Sequence, residues 1–426
     1  MRSYRATNNL IAVSAMTAEV AVNAEQTPDT VMQVSMSDVI NVEPRRENDA
    51  EELTGREEPS LIYDMGQTAA GNLTFDKAQP QHFGFLCAYA LGKIATAAAG
   101  DGYEHTITPI AADVDAKRAN PSFTLAMKYA EVLKRQFASA FVDQLTATFA
   151  RDEWVKINGQ LKLTGKTTDN VIQETVEALD NVVALTLAEN GVHGADAGER
   201  LDSIHRIDAE LTSGIWTPVV VTGVSAATPA VLTIESAGGA GTETVKYRVL
   251  YRPVEAAAWM TFPAKVVETP LRVSEVSVNF GGSWSGSAFV GGRTMTCEAK
   301  QIEWSFQNNL QVEFCFGEAG NYAGRAFRDG RTQTVKVDRE FRDMVVQRHI
   351  ADNDTFGLRL LARGAAYEEG HHYQVEIVFP KLGVIGSPIS VDGKRLAESA
   401  ELSVLEHDTH GSVIVKVKNK VATYAA

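Results

Sequence analysis

Residues 71–91 read GNLTFDKAQPQHFGFLCAYAL, and this stretch decides the fold class. Leu73 and Phe75 alternate with polar neighbours, as one face of a half-buried strand does. Pro80 then sits where the first turn of a helix accepts proline. Phe83, Leu86, Cys87, Ala90 and Leu91 follow at helical spacing, which predicts one buried helical face. Residues 330–350, GRTQTVKVDREFRDMVVQRHI, repeat the arrangement. Val335 and Val337 alternate, Asp338 stands at an N-cap position, and Phe341, Met344 and Val345 begin a helical stripe that Arg348 and His349 interrupt. Each copy lies within its own run of alternating strands. The expectation is a mainly β protein in which packed β-sheets with a flanking helix are built twice.

Outward from the first copy, residues 1 to 35 suit an extended arm or a first strand. Val39 to Glu58 is the most polar stretch, with Glu43, Glu47, Asp49, Glu51, Glu52, Glu57 and Glu58 set against Arg45, Arg46 and Arg56. It offers no apolar face, so it reads as an exposed loop or hairpin whose charge pairs dock on a neighbouring subunit. Ser122 to Tyr129 follows, then Phe137, Phe141, Leu145 and Phe149 on one face of a long strand, then Val155, Ile157, Leu161 and Leu163. These place a first domain at residues 1–166.

Residues 167–275 change character and read as a small all-β insert or connecting region, with strands at Val219–Val224, Val231–Ile234 and Tyr247–Tyr251 and a turn at Gly238–Gly241. A second domain spans 276–426. Val276, Val278 and Phe280 alternate before the Gly/Ser-rich segment GGSWSGSAFVGG, read as a flexible turn. Ile302, Trp304 and Phe306 form one further strand, and Val312, Phe314 and Phe316 another. Tyr373, Val375, Ile377 and Phe379 give the cleanest half-buried strand, expected to stop at Pro380, and Val413, Val415 and Val417 close the second domain.

At 426 residues the chain exceeds what one core fills, so two or three domains are expected. A net charge of −14 argues against broad nucleic-acid binding by a basic surface. Cys87, Cys297 and Cys315 match neither a disulfide framework nor a zinc site, and Cys87 reads as a small core residue. Asn8, Asn9 and Glu19 break up the N-terminal apolar run, and no segment reaches the ~20 apolar residues of a membrane span. A soluble, unprocessed protein is expected.

An enzyme should carry a constellation of reactive side chains. GSWSG at 282–286 places Trp284 where a nucleophile elbow requires serine. His371 and His372 are adjacent, and His407 and His410 are three apart, but their flanks read as strand ends and turns, so they are expected to be solvated loop histidines. No phosphate-binding glycine loop with its lysine is present. The expectation is a non-enzyme without cofactor or metal.

Taken in order, these residues resemble the tail tube proteins of long-tailed, siphovirus-like bacteriophages. The resemblance rests on the acidic hairpin with its Gly55–Arg56 pair, GNLTF leading into Phe83–Leu91, the Ser122–Phe123 strand and the Phe137–Phe149 strand. In the second half it rests on WSFQNN, GRTQTVKVD with its helix, and YQVEIVFPK. It implies a β-sandwich with a flanking helix, present twice, in a structural virion protein whose rings stack into a tube for DNA ejection. Two copies of the fold per chain imply three-membered rings with a pseudo-hexameric outline, a single copy a hexamer. The implied partners are the tape measure, tail terminator and distal tail proteins. DNA would pass through an acidic lumen without tight binding, because a row of cations would release counterions and hold it. The region 167–275 departs from the simplest family pattern. The rival expectations are a virion adhesin using Trp259 and Trp284 as sugar-stacking surfaces, and a β-rich glycoside hydrolase with paired carboxylates.

Overall fold

The alternating runs do form strands. In the computed structural model, which describes residues 5–52, 56–110, 120–295, 297–317 and 320–424, the chain is mainly β with a few short helices. It divides into two compact units, one of Met1–Leu10, Ala126–Gln136 and Thr167–Phe262, the other of Ile11–Leu125, Phe137–Lys166 and Pro263–Ala426.

In the smaller unit, Ile172–Leu179, Thr244–Tyr251, Ile204–Thr212 and Ile215–Pro218 form one antiparallel sheet. Ala184–Thr186, Val231–Ile234 and Val221–Val224 form another. Leu185, Ile207, Leu232, Tyr247 and Val249 share one core there. A short α-helix, Ala197–Asp202, adds to the strands and is capped by Asp196, whose carboxylate accepts from the Glu199 amide at 2.8 Å.

The larger unit is organised by two rows of antiparallel strands. The first runs Asn41–Asn48, Ile62–Phe75, Lys156–Leu163, Leu133–Ala150 (from Phe137 on in this unit), Ala299–Gln307, Thr332–Glu340, Arg395–Val404 and Ile389–Asp392. The second runs Val276–Trp284, Phe356–Glu368, His371–Gly386, Ile414–Asn419, Gly102–Pro109 and Gly92–Ala99. Within the first row the strand before each helix has the same setting. Ile62–Phe75 lies between an earlier and a later strand, and so does Thr332–Glu340. Each helix leads into an antiparallel hairpin, Gly92–Pro109 or Phe356–Gly386.

The two helices differ in burial. Every residue of Pro80–Leu91 is buried, so the one-faced helix read from its spacing is corrected. The cause is its position: it packs on Gly102–Pro109 and Ile414–Asn419 on one side and on Lys156–Leu163 on the other. Pro80 occupies the first turn as expected, and the Gln79 amide donates to His82 Nδ1 at 3.2 Å. Burial lowers the His82 pKa to about 3, which keeps the ring neutral and able to accept that bond. Phe85, Tyr89 and Phe123 form an aromatic cluster around the same helix, with Phe123 4.9 Å from each of the other two rings.

Gly84 is required by close approach. A Cβ there would meet the buried Tyr424 ring at 2.4 Å. Gly84→Ala is therefore expected to destabilise by about 1–3 kcal/mol in urea denaturation, although alanine favours a helix by ~1 kcal/mol. A stabilised variant would show that Tyr424 can withdraw.

The second helix is Val345–Asp352, shorter than the stripe suggested, and only Val346 is buried. Asp338 is not its cap. It lies in the Thr332–Glu340 strand and accepts from Ser399 Oγ, while Asp343 Oδ1 accepts from the Val345 amide at 3.0 Å. A buried ionic network fixes this region. Arg339, 1% exposed, donates to Glu398 Oε2 from Nε at 2.8 Å and lies 3.1 Å from Asp343 Oδ1, and Gln347 Nε2 donates to Glu398 Oε1 at 2.7 Å.

Four further expectations are corrected. Phe141 and Phe149 do not share a face, because the register shifts between Val142 and Gln144. Phe141 packs with Leu310 and Ala326, whereas Phe149 meets Phe83. The strand at Val312 ends at Glu313, leaving Phe314 outside it and Phe316 fully exposed. The His371–Gly386 strand runs through Pro380. Its partner changes there from Ile414–Asn419 to Arg395–Val404, so the missing N–H costs no ladder bond. The Gly/Ser-rich segment is a hairpin, with Trp284 opposite Phe289 and Ser285 Oγ donating to the Ala288 carbonyl at 2.8 Å.

Candidate interaction surface

The acidic stretch forms a β-hairpin arm. Asn41–Asn48 pairs with the start of Ile62–Phe75, Arg46 facing Asp64 and Glu47 facing Tyr63. Pro44 sits in this outermost strand, the place where a residue without N–H is tolerated. The register shifts between Pro44 and Arg46, so Arg45 stands at a bulge opposite Met65 and Gly66. Gly66 has φ +98° and an added Cβ would lie 2.7 Å from the Phe314 ring, so both conformation and space demand glycine. The Arg45 guanidinium stands 4.9 Å from the Phe314 ring centroid, and the Gln67 amide donates to the Asn321 carbonyl at 2.7 Å. The base of the arm is thus clamped by Phe314 and Asn321 of the same chain.

Glu43, Arg45, Arg46, Glu47, Glu51, Glu52, Arg56, Glu57 and Glu58 are all exposed. Asp49 is the exception and organises the turn: its carboxylate accepts from the Ser60 amide and Ser60 Oγ, each at 2.7 Å. The Ser60 hydroxyl holds the Asp49 pKa below the usual carboxylate range. Tyr63 Oη donates to Glu52 Oε2 at 2.9 Å, and this bond raises the phenol pKa. Gly55 lies outside the described residues.

The returning strand carries what the charge pattern hides. Leu61, Ile62, Tyr63 and Met65 are 56%, 71%, 40% and 45% exposed, on an arm of two strands with both faces open. Such a ribbon is marginal alone in water. The alternation of LIYDM could have signalled it, but it lies just past the charged run. The other end of the first row is also open. Ile389–Asp392 pairs only with Arg395–Val404 among the described residues, and Ile385, Ile389, Val391 and Leu396 are exposed. No family model matches this chain and no curated protein is similar to it.

Most side chains weighed for other chemistry are engaged elsewhere, whereas Trp259 lies half-buried in the single turn Ala258–Met260. Trp284 is buried against Val378 and Ile414, with Lys416 Nζ 5.0 Å from its ring, so it presents no open sugar platform. The buried carboxylates Glu298, Glu340, Glu376 and Glu398 each face an arginine. His371 and His372 belong to a strand rather than a loop. The rings of His407 and His410 stack at 4.8 Å, and no group able to hold a metal occurs among the described residues. Cys87 is buried in the core, as read from sequence. Among the described residues no helix is long and apolar enough to cross a membrane.

Proposed function

We propose that this chain is a structural protein that assembles into rings stacked as the tail tube of a long-tailed phage. The observation that carries the reading is the first row of strands. It is made of two sets with like settings, joined where Leu145, Ala147 and Phe149 pair with Phe306, Trp304 and Ile302, and among the described residues neither Asn41–Asn48 nor Ile389–Asp392 has a strand partner on its outer side. An open edge is a hazard for a lone molecule. It becomes useful when the Ile389–Asp392 edge of one copy meets the Asn41–Asn48 edge of the next, a head-to-tail contact that closes by rotation. Two like halves per chain favour three chains in a ring with a pseudo-sixfold outline, and the arm reaches a neighbouring subunit or ring. The tape measure, terminator and distal tail proteins would be its partners. The acidic balance suits a lumen through which DNA moves without adhering.

Negative-stain images and light scattering across a concentration series should show annular or tubular particles. Deleting Arg46 to Arg56 should leave the circular dichroism of the protomer nearly unchanged and shorten or abolish tubes. A protein that stays monomeric at every concentration, including with tail initiator present, overturns the reading. Rings of six chains, each supplying one tube domain, would overturn the duplication alone.

A further inference from the structure

The chain carries a second arm, and its resting place gives a template for the first. Between Ala299–Gln307 and Thr332–Glu340 the chain runs out and back as a short hairpin, Leu310–Glu313 paired with Arg325–Arg328. The first arm leaves its own set at the same point, just before the strand that leads into the helix. Matching Leu73 and Phe75 to Val335 and Val337 extends the correspondence into both arms. Arg328 then stands nine residues before Val337 as Gly66 does before Phe75, and Ala326 takes the place of Asp64. The cross-strand partners agree, since Ala326 faces Val312 where Asp64 faces Arg46.

The second arm lies across the third and fourth strands of the first set. Leu310 and Ala326 pack on Phe141, Lys162 Nζ donates to the Leu310 carbonyl at 2.9 Å, and the Ala323 amide donates to the Thr164 carbonyl at 2.9 Å. Strand register locates the same three places in the second set. Phe75 pairs with Ile157 and Val337 with Ala400, so Lys162 corresponds to Leu405 and Thr164 to His407. Phe141 pairs with Lys162, while the Leu405 amide donates to the Lys381 carbonyl at 3.0 Å, so Phe141 corresponds to Lys381. Val142 and Leu161 match Leu382 and Val404 in the same way. Lys381 and His407 are half-buried and line a cleft of about 260 Å³.

The chemistry changes in step on both sides of the contact. Phe141 receives an alanine of the second arm. The matching place in the second set holds an ammonium, and the matching place in the first arm holds a carboxylate. Asp64 is exposed, its Oδ1 accepts from the Gly66 amide at 3.1 Å, and among the described residues neither Asp64 nor Lys381 forms an ion pair. Asp408 also lines the cleft and Arg46 stands beside Asp64 on the arm, so each side carries both signs and their pairing fixes one register. We propose, resting on the ring reading in which the second set of one copy adjoins the first set of the next, that the first arm of one copy lies over Lys381, Leu405 and His407 of its neighbour, with Asp64 paired to Lys381.

A carbodiimide joins a carboxylate to an amine that touches it, which makes it the probe for this pair. The full-length chain, mixed from heavy-isotope-labelled and unlabelled protein under assembly conditions, should yield a cross-linked peptide joining Asp64 and Lys381 with one partner of each label. Lys381→Asp and Asp64→Lys should each raise the concentration for half-maximal assembly in light scattering at least about tenfold, because like charges then meet, with circular dichroism unchanged. The two exchanges combined in one chain should return it to within about threefold of the wild type. Wild-type rings or tubes whose assembly the single variants leave unchanged overturn this contact and spare the ring reading. So do losses that the double exchange does not rescue, or a cross-link confined to single chains. A wild type that stays monomeric and gives no cross-link between copies overturns both.

Discussion

Arg339→Ala is expected to cost about 3–5 kcal/mol of stability, the largest effect of any single charge change in the second half of the chain. Arg339 is 1% exposed and serves Glu398, Asp343 and Glu298 at once. Glu398 is itself buried, so removing the guanidinium leaves a carboxylate whose remaining donor is Gln347. Coulomb attraction alone does not set the size of the loss. The larger part is the desolvation of the stranded carboxylate, which nothing then offsets. The double variant Arg339→Met/Glu398→Leu should therefore recover much of the loss, because both charges leave together. Urea denaturation of the wild type, Arg339→Met, Glu398→Leu and the double variant closes a cycle that gives the coupling directly. A single-variant loss below about 1 kcal/mol, as at an exposed pair, would show that water reaches the network.

Glu268→Gln should change how stability depends on pH. Burial raises the Glu268 pKa from 4.5 to about 7, against the pull of the Gln81 and Lys420 backbone amides. For a raised carboxyl pKa, the folded chain holds its proton where the unfolded chain has lost it. The stabilising contribution is complete below about 4.5 and is lost as pH rises through about 7. Above that window the charged, buried group disfavours the fold by roughly 3 kcal/mol at most. The substituted amide cannot ionise. The variant should match the wild type near pH 4.5 and exceed it at pH 8, by up to that amount, in urea denaturation at the two pH values. Parallel stability profiles would mean that Glu268 titrates in the folded chain as it does unfolded.

Strands at Leu73 and Phe75 and at Ile302 to Phe306 were legible because their burial is one-sided and alternation records that directly, whereas the strand at Tyr373 to Phe379 alternates in sequence yet is buried on both faces from Val375 to Pro380. Helix Pro80–Leu91 was legible in position, from Pro80 and the spacing of Phe83 to Leu91, but not in its depth. A helix covered on two sides by strands distant in sequence leaves no pattern that distinguishes it from a half-buried one. Asp338 misled because a strand residue bonded to Ser399 looks, in sequence, like a cap. The arm was legible as an exposed hairpin from its charges. Its apolar residues, Leu61 to Met65, and its clamp by Phe314 were not, since strand pairing alone brings them together. The setting of Glu268 left no sequence signal, because Gln79 and Gln81, which bond to it, lie 189 and 187 residues earlier in the chain.

The placement of Ile414–Asn419 between His371–Gly386 and Gly102–Pro109 fixes a timetable for biosynthesis. Val415 pairs with Ile107, so the Gly102–Pro109 strand leaves the ribosome long before its neighbour exists. At about 5–20 residues per second the delay is on the order of tens of seconds. Throughout that interval one side of the Pro80–Leu91 helix, buried on every face in the finished fold, lacks its cover. Pairing across so much chain is slow for entropic reasons as well. The nascent protein is therefore an expected client of a holding chaperone until its last strand emerges, and a truncation before Ile414 should accumulate as aggregate.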